Sequence, residues 1–365
     1  MHFNSFGAAE GQAGFAATMK QGIRTVGMFG LILIQLVLLG TSAQAQDERQ
    51  DTPVLVTVDN FVRAESDRYF RQRESIGGFG RFAHNRDPVD IDHQPVVRAN
   101  RDTLYSYAVF DLNHPVTITL PEQDDRYQSI RIINQDHYVV DDSAKPGVYK
   151  LTKDKVGTRY VHVNVRTLVN PLDPEDVKAA RALQDQVKLE QADPGSLDLP
   201  NWDEKSRAAV RKAILGLAPH VPDSRRMFGT KDQVDPVRHL IGTAGAWGFG
   251  SEESAIAMNV FPEKNDGNTP YTLTVKDVPV DGFWSISVYN SDGYFEKNPN
   301  GGYSLNNLTA KKGADGSYTI HFGGDPSQPN WLNISKGWNY VVRMYLPHQE
   351  VIDGTWTFPE AEPVK

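Results

Sequence analysis

The sequence contains no cysteine. That one absence removes disulfides, thiolate zinc sites, iron–sulfur clusters and thiol nucleophiles. A basic cluster is missing too: 38 Lys and Arg stand against 46 Asp and Glu, for a net charge of −8. A mildly acidic chain without a basic stripe is a poor partner for nucleic acid or for an anionic lipid surface. There is no His-Glu-x-x-His, no phosphate loop and no Gly-x-Gly-x-x-Gly after a strand. The nearest approach to Gly-x-Ser-x-Gly, "GFGSE" at 248–252, lacks the last glycine. A Ser–His–Asp triad assembled from distant residues stays open. No fixed-period repeat is present.

Long apolar runs are scarce as well. The single one, Val26–Leu39, has fourteen residues and carries Gln35, against roughly 20 for a membrane span. Lys20 and Arg24 precede it, and Ala43-Gln44-Ala45 follows with small-x-small spacing. This is the pattern of a cleaved signal peptide over residues 1–45, with the mature chain starting at Gln46. Met19 opens "MKQGIRTV", a normal signal start, so translation is expected to begin there. Cleavage removes one acid and two bases, taking the net charge from −8 to −9. The expected location is the periplasm or the exterior, with no membrane span left. Roughly 320 residues remain, enough to bury a core without disulfides.

What the chain does have is β character: 30 glycines, 22 prolines, and many short runs rich in Val, Ile, Thr and Tyr. Asp59 is a candidate cap for a helix over about 60–75. Strands are expected at Val96–Phe110, Val116–Leu120, Tyr127–Ile133, Gly147–Leu151 and Arg159–Arg166, which suggests an antiparallel sandwich over residues 46–170. Three helices follow in a segment over 171–255: from Asp173-Pro174 to about Gln191, 201–216 under an Asn201 cap, and from Asp235-Pro236. Strands return in "YTLTV", "FWSISVY", "SYTIHF", "NYVVRMYL" and "GTWTF", a second all-β unit over 256–365, most simply a sandwich or jelly roll.

The chemistry concentrates in a few places. "VVRANRDTLYSYAVFDL" (96–112) puts Arg98, Asn100, Arg101 and Asp102 inside an expected strand, which calls for a bulge near Asn100-Arg101. An arginine fork suits carboxylate, phosphate or sulfate, and Asp102 is either a general base or an arginine's partner. The loop "NRDPVDIDH" (85–93) fits no EF-hand spacing and reads as a solvated acidic loop, so no metal site is assigned. Asp136-His137 stand where a strand meets a loop, which makes His137 a second candidate base. "VDGFWSISVYNSDGYF" (280–295) carries an aromatic strip including Trp284, and Arg343 interrupts an apolar strand much as Arg98 does.

Two of these motif sets carry a family likeness. "VVRANRDTLYSYAVFDL" with "PVTITLP" resembles domain of unknown function 1254. "FWSISVYNSDGYF", "DGSYTIHF" and "NWLNISKGWNYVVRMYLP" resemble domain of unknown function 1214, which follows it in a bacterial two-domain family. The resemblance implies an immunoglobulin-like sandwich, a small helical segment and a C-terminal jelly roll. Its motif residues fall on Asn100, Arg101, Asp102, Thr103, Tyr105, Phe283, Trp284 and Arg343. Asn333 stands where the family pattern has proline. The family brings no activity with it.

The reading favoured by the sequence is an exported protein that binds a small polar or anionic ligand where its two β-domains meet. Arg98, Asn100, Arg101, Tyr105, Trp284 and Arg343 would hold the ligand, without cofactor or metal, in a monomer or homo-oligomer. Two alternatives stand beside it: a hydrolase with Asp102 or His137 as base, and an envelope scaffold in which the polar residues only join domains.

Overall fold

The computed structural model describes residues 52–94, 96–221 and 223–365; the expected signal segment, 1–45, lies outside them. In chain order the elements are α1 Phe61–Ser75, β1 Ala83–His84, β2 Thr103–Asp111, β3 Val116–Leu120, β4 Gln128–Asn134, β5 Val139–Ser143, β6 Gly147–Leu151, α2 Lys153–Val156, β7 Tyr160–Leu168, α3 Pro174–Asp185 and β8 Lys188–Gln191. They continue with α4 Glu204–Leu215, α5 Pro236–Ala246, β9 Ala255–Val260, β10 Tyr271–Val275, β11 Trp284–Tyr289, β12 Ser304–Asn306, β13 Tyr318–Phe322, β14 Trp331–Leu332, β15 Asn339–Tyr345, α6 Gln349–Ile352 and β16 Glu362–Pro363. The fold is mainly β.

The strands form four sheets. In the first half they are ordered β1-β2-β7-β4-β5 and β6-β3-β8, and in the second β12-β11-β15-β9 and β14-β13-β10-β16. Alternation explains how each half closes. Val161, Val163 and Val165 of β7 turn one way with Ala108 and Phe110 of β2 and Ile130 and Ile132 of β4, and they meet Ile118 and Leu151 of the smaller sheet in one buried cluster. In the second half Trp284, Ile286, Tyr340, Val342 and Met344 meet Leu273, Ile320 and Phe322 in the same manner. A third cluster ties α1 to α4 and α5 through Phe61, Ala64, Ile214, Phe228 and Ile241.

Several expectations are corrected. The strand foreseen from Val96 begins only at Thr103, because the Arg98 and Ala99 backbones bond to the second half and the Asp102 N–H bonds to the Asn100 side chain. Arg98 is left-handed, with φ +53°, so an irregular connector replaces the expected bulge. The helix foreseen to Gln191 ends at Asp185. "KLEQ" then alternates outward and inward as β8, with Val187 and Leu189 packed on the first core. Asp203, not Asn201, caps α4 by accepting from Ser206 N at 2.7 Å. Asn60, not Asp59, stands at the start of α1. "GTWTF" forms no strand, although Phe358 is buried in the second core. The Asp173 and Asp235 caps fall where the Asp-Pro pairs put them.

Candidate functional site

The connector "RANRD" lies on the face of β11 and β15 that turns away from the second core. Arg343 donates to the Arg98 carbonyl at 2.8 Å and to the Tyr289 hydroxyl at 3.0 Å. The Tyr289 hydroxyl donates to the Ala99 carbonyl at 2.7 Å. Arg98 reaches Asn339 at 3.2 Å, and Asn100 donates to the Tyr345 hydroxyl at 2.8 Å. Arg101 bonds to the Val89 carbonyl and lies over the Tyr303 ring. Asp102, fully buried, accepts from Asn306 at 3.1 Å, while its second oxygen has no protein partner. Burial pushes its carboxyl up, against the Arg343 charge and contacts with Ser285 and Asn306. The structure thus places Arg98, Asn100, Arg101, Asp102 and Arg343 together, as a seam between the halves.

Of the other three candidates, Trp284 and His137 sit apart from both the seam and Tyr105. Trp284 is 3% exposed and packs in the second core against Tyr318 and Phe358, so it walls no ligand site. His137 has both nitrogens engaged. Its Nε2 accepts from Gly248 N at 2.9 Å, which makes Nδ1 the donor to Thr243 at 2.8 Å. Burial, with the neighbouring His239, holds it well below the usual histidine range. It is a neutral structural imidazole that fixes the end of α5, not a base. In the acidic loop Asp87 pairs with Arg181, Asp90 with His93 and Asp92 with Lys297. Among the described residues no cluster of three or more His, Asp or Glu could hold a metal ion.

A different polar surface emerges on the five-stranded sheet. Its first face fills the core, so strand period forces Tyr105, Tyr107, His162, Asn164, Arg166, Ser129 and Arg131 onto the second. The register aligns them in rows: Tyr105 faces Arg166, which faces Ser129, and Tyr107 faces Asn164, which faces Arg131 and then Asp142. Arg131 is fully used. It pairs with Asp142 at 2.8 Å and donates to the Gly248 carbonyl and the Ser254 hydroxyl, both at 2.9 Å.

The remaining groups are not used up. His162 is 2% exposed, and neither ring nitrogen has a hydrogen-bond partner in the protein. The same holds for Asn164 Oδ1, Ser129 Oγ and Arg73 Nε. Among the described residues neither Arg73 nor Arg166 makes an ion pair. Each instead stands by an aromatic ring: Arg73 is 3.8 Å above Tyr107, and Arg166 is 5.6 Å from Tyr105. Tyr105 and Tyr107 stack on each other with centroids 5.6 Å apart, and Tyr107 lies 5.9 Å from His162. Phe70 of α1 and Trp247 close over His162 at 6.3 and 5.1 Å. The second half contributes Tyr345 and Phe283, which pack on Tyr127 at 5.7 and 5.2 Å. Arg73, Tyr105, Tyr107, Tyr127, Arg166 and Trp247 all keep partial solvent exposure, so the surface is a recess and not a second core.

Charge tunes the recess. Burial pushes the Tyr107 phenol up to about 12, against the Arg73 charge. Burial also acts to raise Tyr105, but the Arg166 charge, with Thr103 and Arg343 beside it, outweighs burial and holds the phenol below its ordinary value. Burial, then the Arg73 charge, hold His162 well below the usual range, so it is neutral. Of this recess only Tyr105 stood among the expected ligand residues, and Phe283 among the motif residues. The signal for the rest was the run "VHVNVR" (161–166), where Val alternates with His, Asn and Arg.

Fold and site define a mainly β protein of two joined units with a cationic, aromatic recess beside the join. Residues 79–191 match a family model described as protein of unknown function (DUF1254), and residues 262–349 match another described as protein of unknown function (DUF1214). The chain belongs to the family that carries these two domains in that order. It is similar to the crystal structure of the VPA0106 protein from Vibrio parahaemolyticus, at 19% identity and TM-score 0.67, over 84% of this chain and 98% of that one. At that identity the likeness establishes a shared fold. A putative uncharacterized protein from Burkholderia cenocepacia matches at 15% identity and TM-score 0.49, over 84% and 88% of the two chains. No curated protein matches.

Proposed function

We propose that this is an exported periplasmic or secreted protein that binds a small anionic ligand, a carboxylate or phosphate, in the recess between Arg73 and Arg166. One observation carries the reading. Two arginines without a carboxylate partner among the described residues flank one stacked tyrosine pair, above buried polar atoms that no protein group satisfies. Buried polar groups are normally paired, and an arginine fork matches planar anions. The expected ligand site therefore keeps Tyr105 and moves from the seam to the neighbouring sheet face. Arg98, Asn100 and Arg343 are engaged in contacts between the halves, which favours a structural role for them, the role that the scaffold alternative gave to the whole cluster.

The test is calorimetric titration with inorganic phosphate, acetate, citrate and galacturonate, backed by thermal shift. At least one should bind, with affinity falling tenfold or more in Arg166→Met and Arg73→Met and holding in Arg98→Met. Binding that follows Arg98 and ignores Arg166 would return the site to the seam.

A further inference from the structure

We propose that the outer edge of β9 is an interface between two copies of this chain, joined strand to strand and antiparallel about a two-fold axis at Ala257. An outer strand presents a row of unpaired N–H and C=O groups, and chains blunt such rows with short strands, charges or bulges. The four sheets have eight outer strands. β1, β14 and β16 are two residues long and β12 is three. β5 carries Asp141 and Asp142 and bulges against β4. β6 carries Lys150, and β8 carries Lys188 and Glu190. β9 has none of these devices. It runs for six residues, "AIAMNV", without a charge, a proline or a register shift.

The ladder fixes which backbone groups are free. Tyr345 donates its N–H to the Phe283 carbonyl and accepts from Gly282 N, so it bonds toward β11. Bonding direction alternates along an antiparallel strand. Met344, Val342 and Tyr340 therefore bond the other way, to Ile256, Met258 and Val260. That leaves the backbones of Ala255, Ala257 and Asn259 pointing outward. Among the described residues β9 pairs with β15 alone, and no hydrogen bond from elsewhere reaches the Ala257 or Asn259 backbone. Asn259 is exposed, and Ala255, Ile256 and Ala257 are half-buried, so the edge is open.

A second copy fits because this edge is compatible with itself. With the axis at Ala257, Ala257 meets Ala257 and Ala255 meets Asn259, which puts small side chains together on the seam face. On the other face Ile256 of one copy stands opposite Met258 of the other, so the apolar layer of the second core continues across the join. Beyond the strand, Glu253 falls opposite Phe261 and Glu263 opposite Ser251. Moving the axis to Met258 would set Glu253 against Glu263, and like charges directly opposite are unfavourable. Moving it to Ile256 would shorten the paired run. Charge and length thus select one register, as a self-complementary two-fold interface requires.

The test is sedimentation equilibrium of the full protein, with the fold of each variant checked by thermal melt. The parent should dimerise. Asn259→Pro removes an outward N–H and leaves the bonds to β15 intact, and it should weaken the dimer tenfold or more. Cross-linking fixes the register, since the chain has no cysteine of its own. In Ala257→Cys the two Cα atoms would lie about 5.5 Å apart, within disulfide reach, so oxidation should give a covalent dimer on a non-reducing gel. In Asn259→Cys they would lie roughly 13 Å apart, and no such dimer should form. A dimer that ignores Asn259→Pro and does not cross-link through position 257 would place the interface elsewhere and overturn the proposal. A parent still monomeric at about 100 μM would overturn it too, and an edge then bound by an extended Val-Thr repeat peptide would belong to a foreign strand.

Discussion

His162 should be a residue that stability would gladly lose. Its imidazole has one donor and one acceptor, both buried without a protein partner, and each such group costs about 1–3 kcal/mol. Leucine has nearly the same volume and no polar atom. Against the gain stands the loss of contacts with Phe70, Tyr107 and Trp247, about 0.5–1.5 kcal/mol per aromatic pair at most. Two such groups outweigh three such pairs only narrowly, so His162→Leu should be more stable than the parent by about 1 kcal/mol at pH 7.5, roughly 2–4 °C in Tm. A pH signature separates this cause from better packing. The folded-state pKa is depressed, so the histidine's contribution is complete above its unfolded value of 6.5 and is lost as pH falls below it. At pH 5.5 the unfolded chain gains about 1.4 kcal/mol by protonating this ring, which the variant does not have. Urea unfolding followed by circular dichroism at both pH values measures the gap between the two proteins, which should widen by about that amount. A variant less stable than the parent, with the same gap at both pH values, would show that the ring nitrogens are satisfied and that the reasoning fails.

The other predictions concern how the recess is held. Asp142→Ala strands Arg131 in a buried site, side chain 3% exposed, and should cost about 3–5 kcal/mol in chemical unfolding. Gly250→Ala should act on the same pair, because a Cβ there would stand 2.0 Å from Arg131 Nη2 and 2.2 Å from Asp142; a loss of at least about 2 kcal/mol is expected, non-additive with Asp142→Ala. Asn306→Ala removes the donor to Asp102 and should cost about 1–3 kcal/mol by urea unfolding. Asp102 has a raised folded-state pKa, so its stabilising contribution is present at acid pH and lost as pH rises through that value; Asp102→Asn should flatten this part of the stability–pH curve.

Local patterns made much of the architecture legible. "VTITL" and "YTLTV" alternate cleanly and became β3 and β10 as read, and the Asp-Pro pairs gave the starts of α3 and α5. The sheet orders were not legible, since "KLEQ" joins β3 across 68 or more residues of chain and nothing local announces that partner. At the site, a polar run in an expected strand read as a ligand clamp, because a fork arginine looks the same whether it meets a ligand or a carbonyl of the same chain. Arg98 and Arg343 turned out to meet the chain. "VHVNVR" lies in the expected strand Arg159–Arg166 and supplied no candidate, because the sequence does not say that α1 and Trp247 roof its polar face. The strand's polarity was visible, but its burial depended on residues far away in the chain.

The seam and the recess are nonetheless one construction. Tyr345 takes the Asn100 hydrogen bond on the seam, and it also packs on Tyr127 and Phe283 at the recess. Its phenol is pushed up by burial and then by Tyr105, so the two hydroxyls share one electrostatic neighbourhood with Arg166. A phenol from the second unit thus faces the cation of the first, and the recess is complete only when the units are joined. Removing the seam bond that holds Tyr345 should therefore weaken anion binding without touching either arginine, whereas the Arg98 bond ends on Asn339, off that path. Asn100→Ala leaves the Tyr345 hydroxyl without its donor while Arg73 and Arg166 stay in place. Calorimetry on that variant should show reduced affinity, and unchanged affinity would separate the seam from the site.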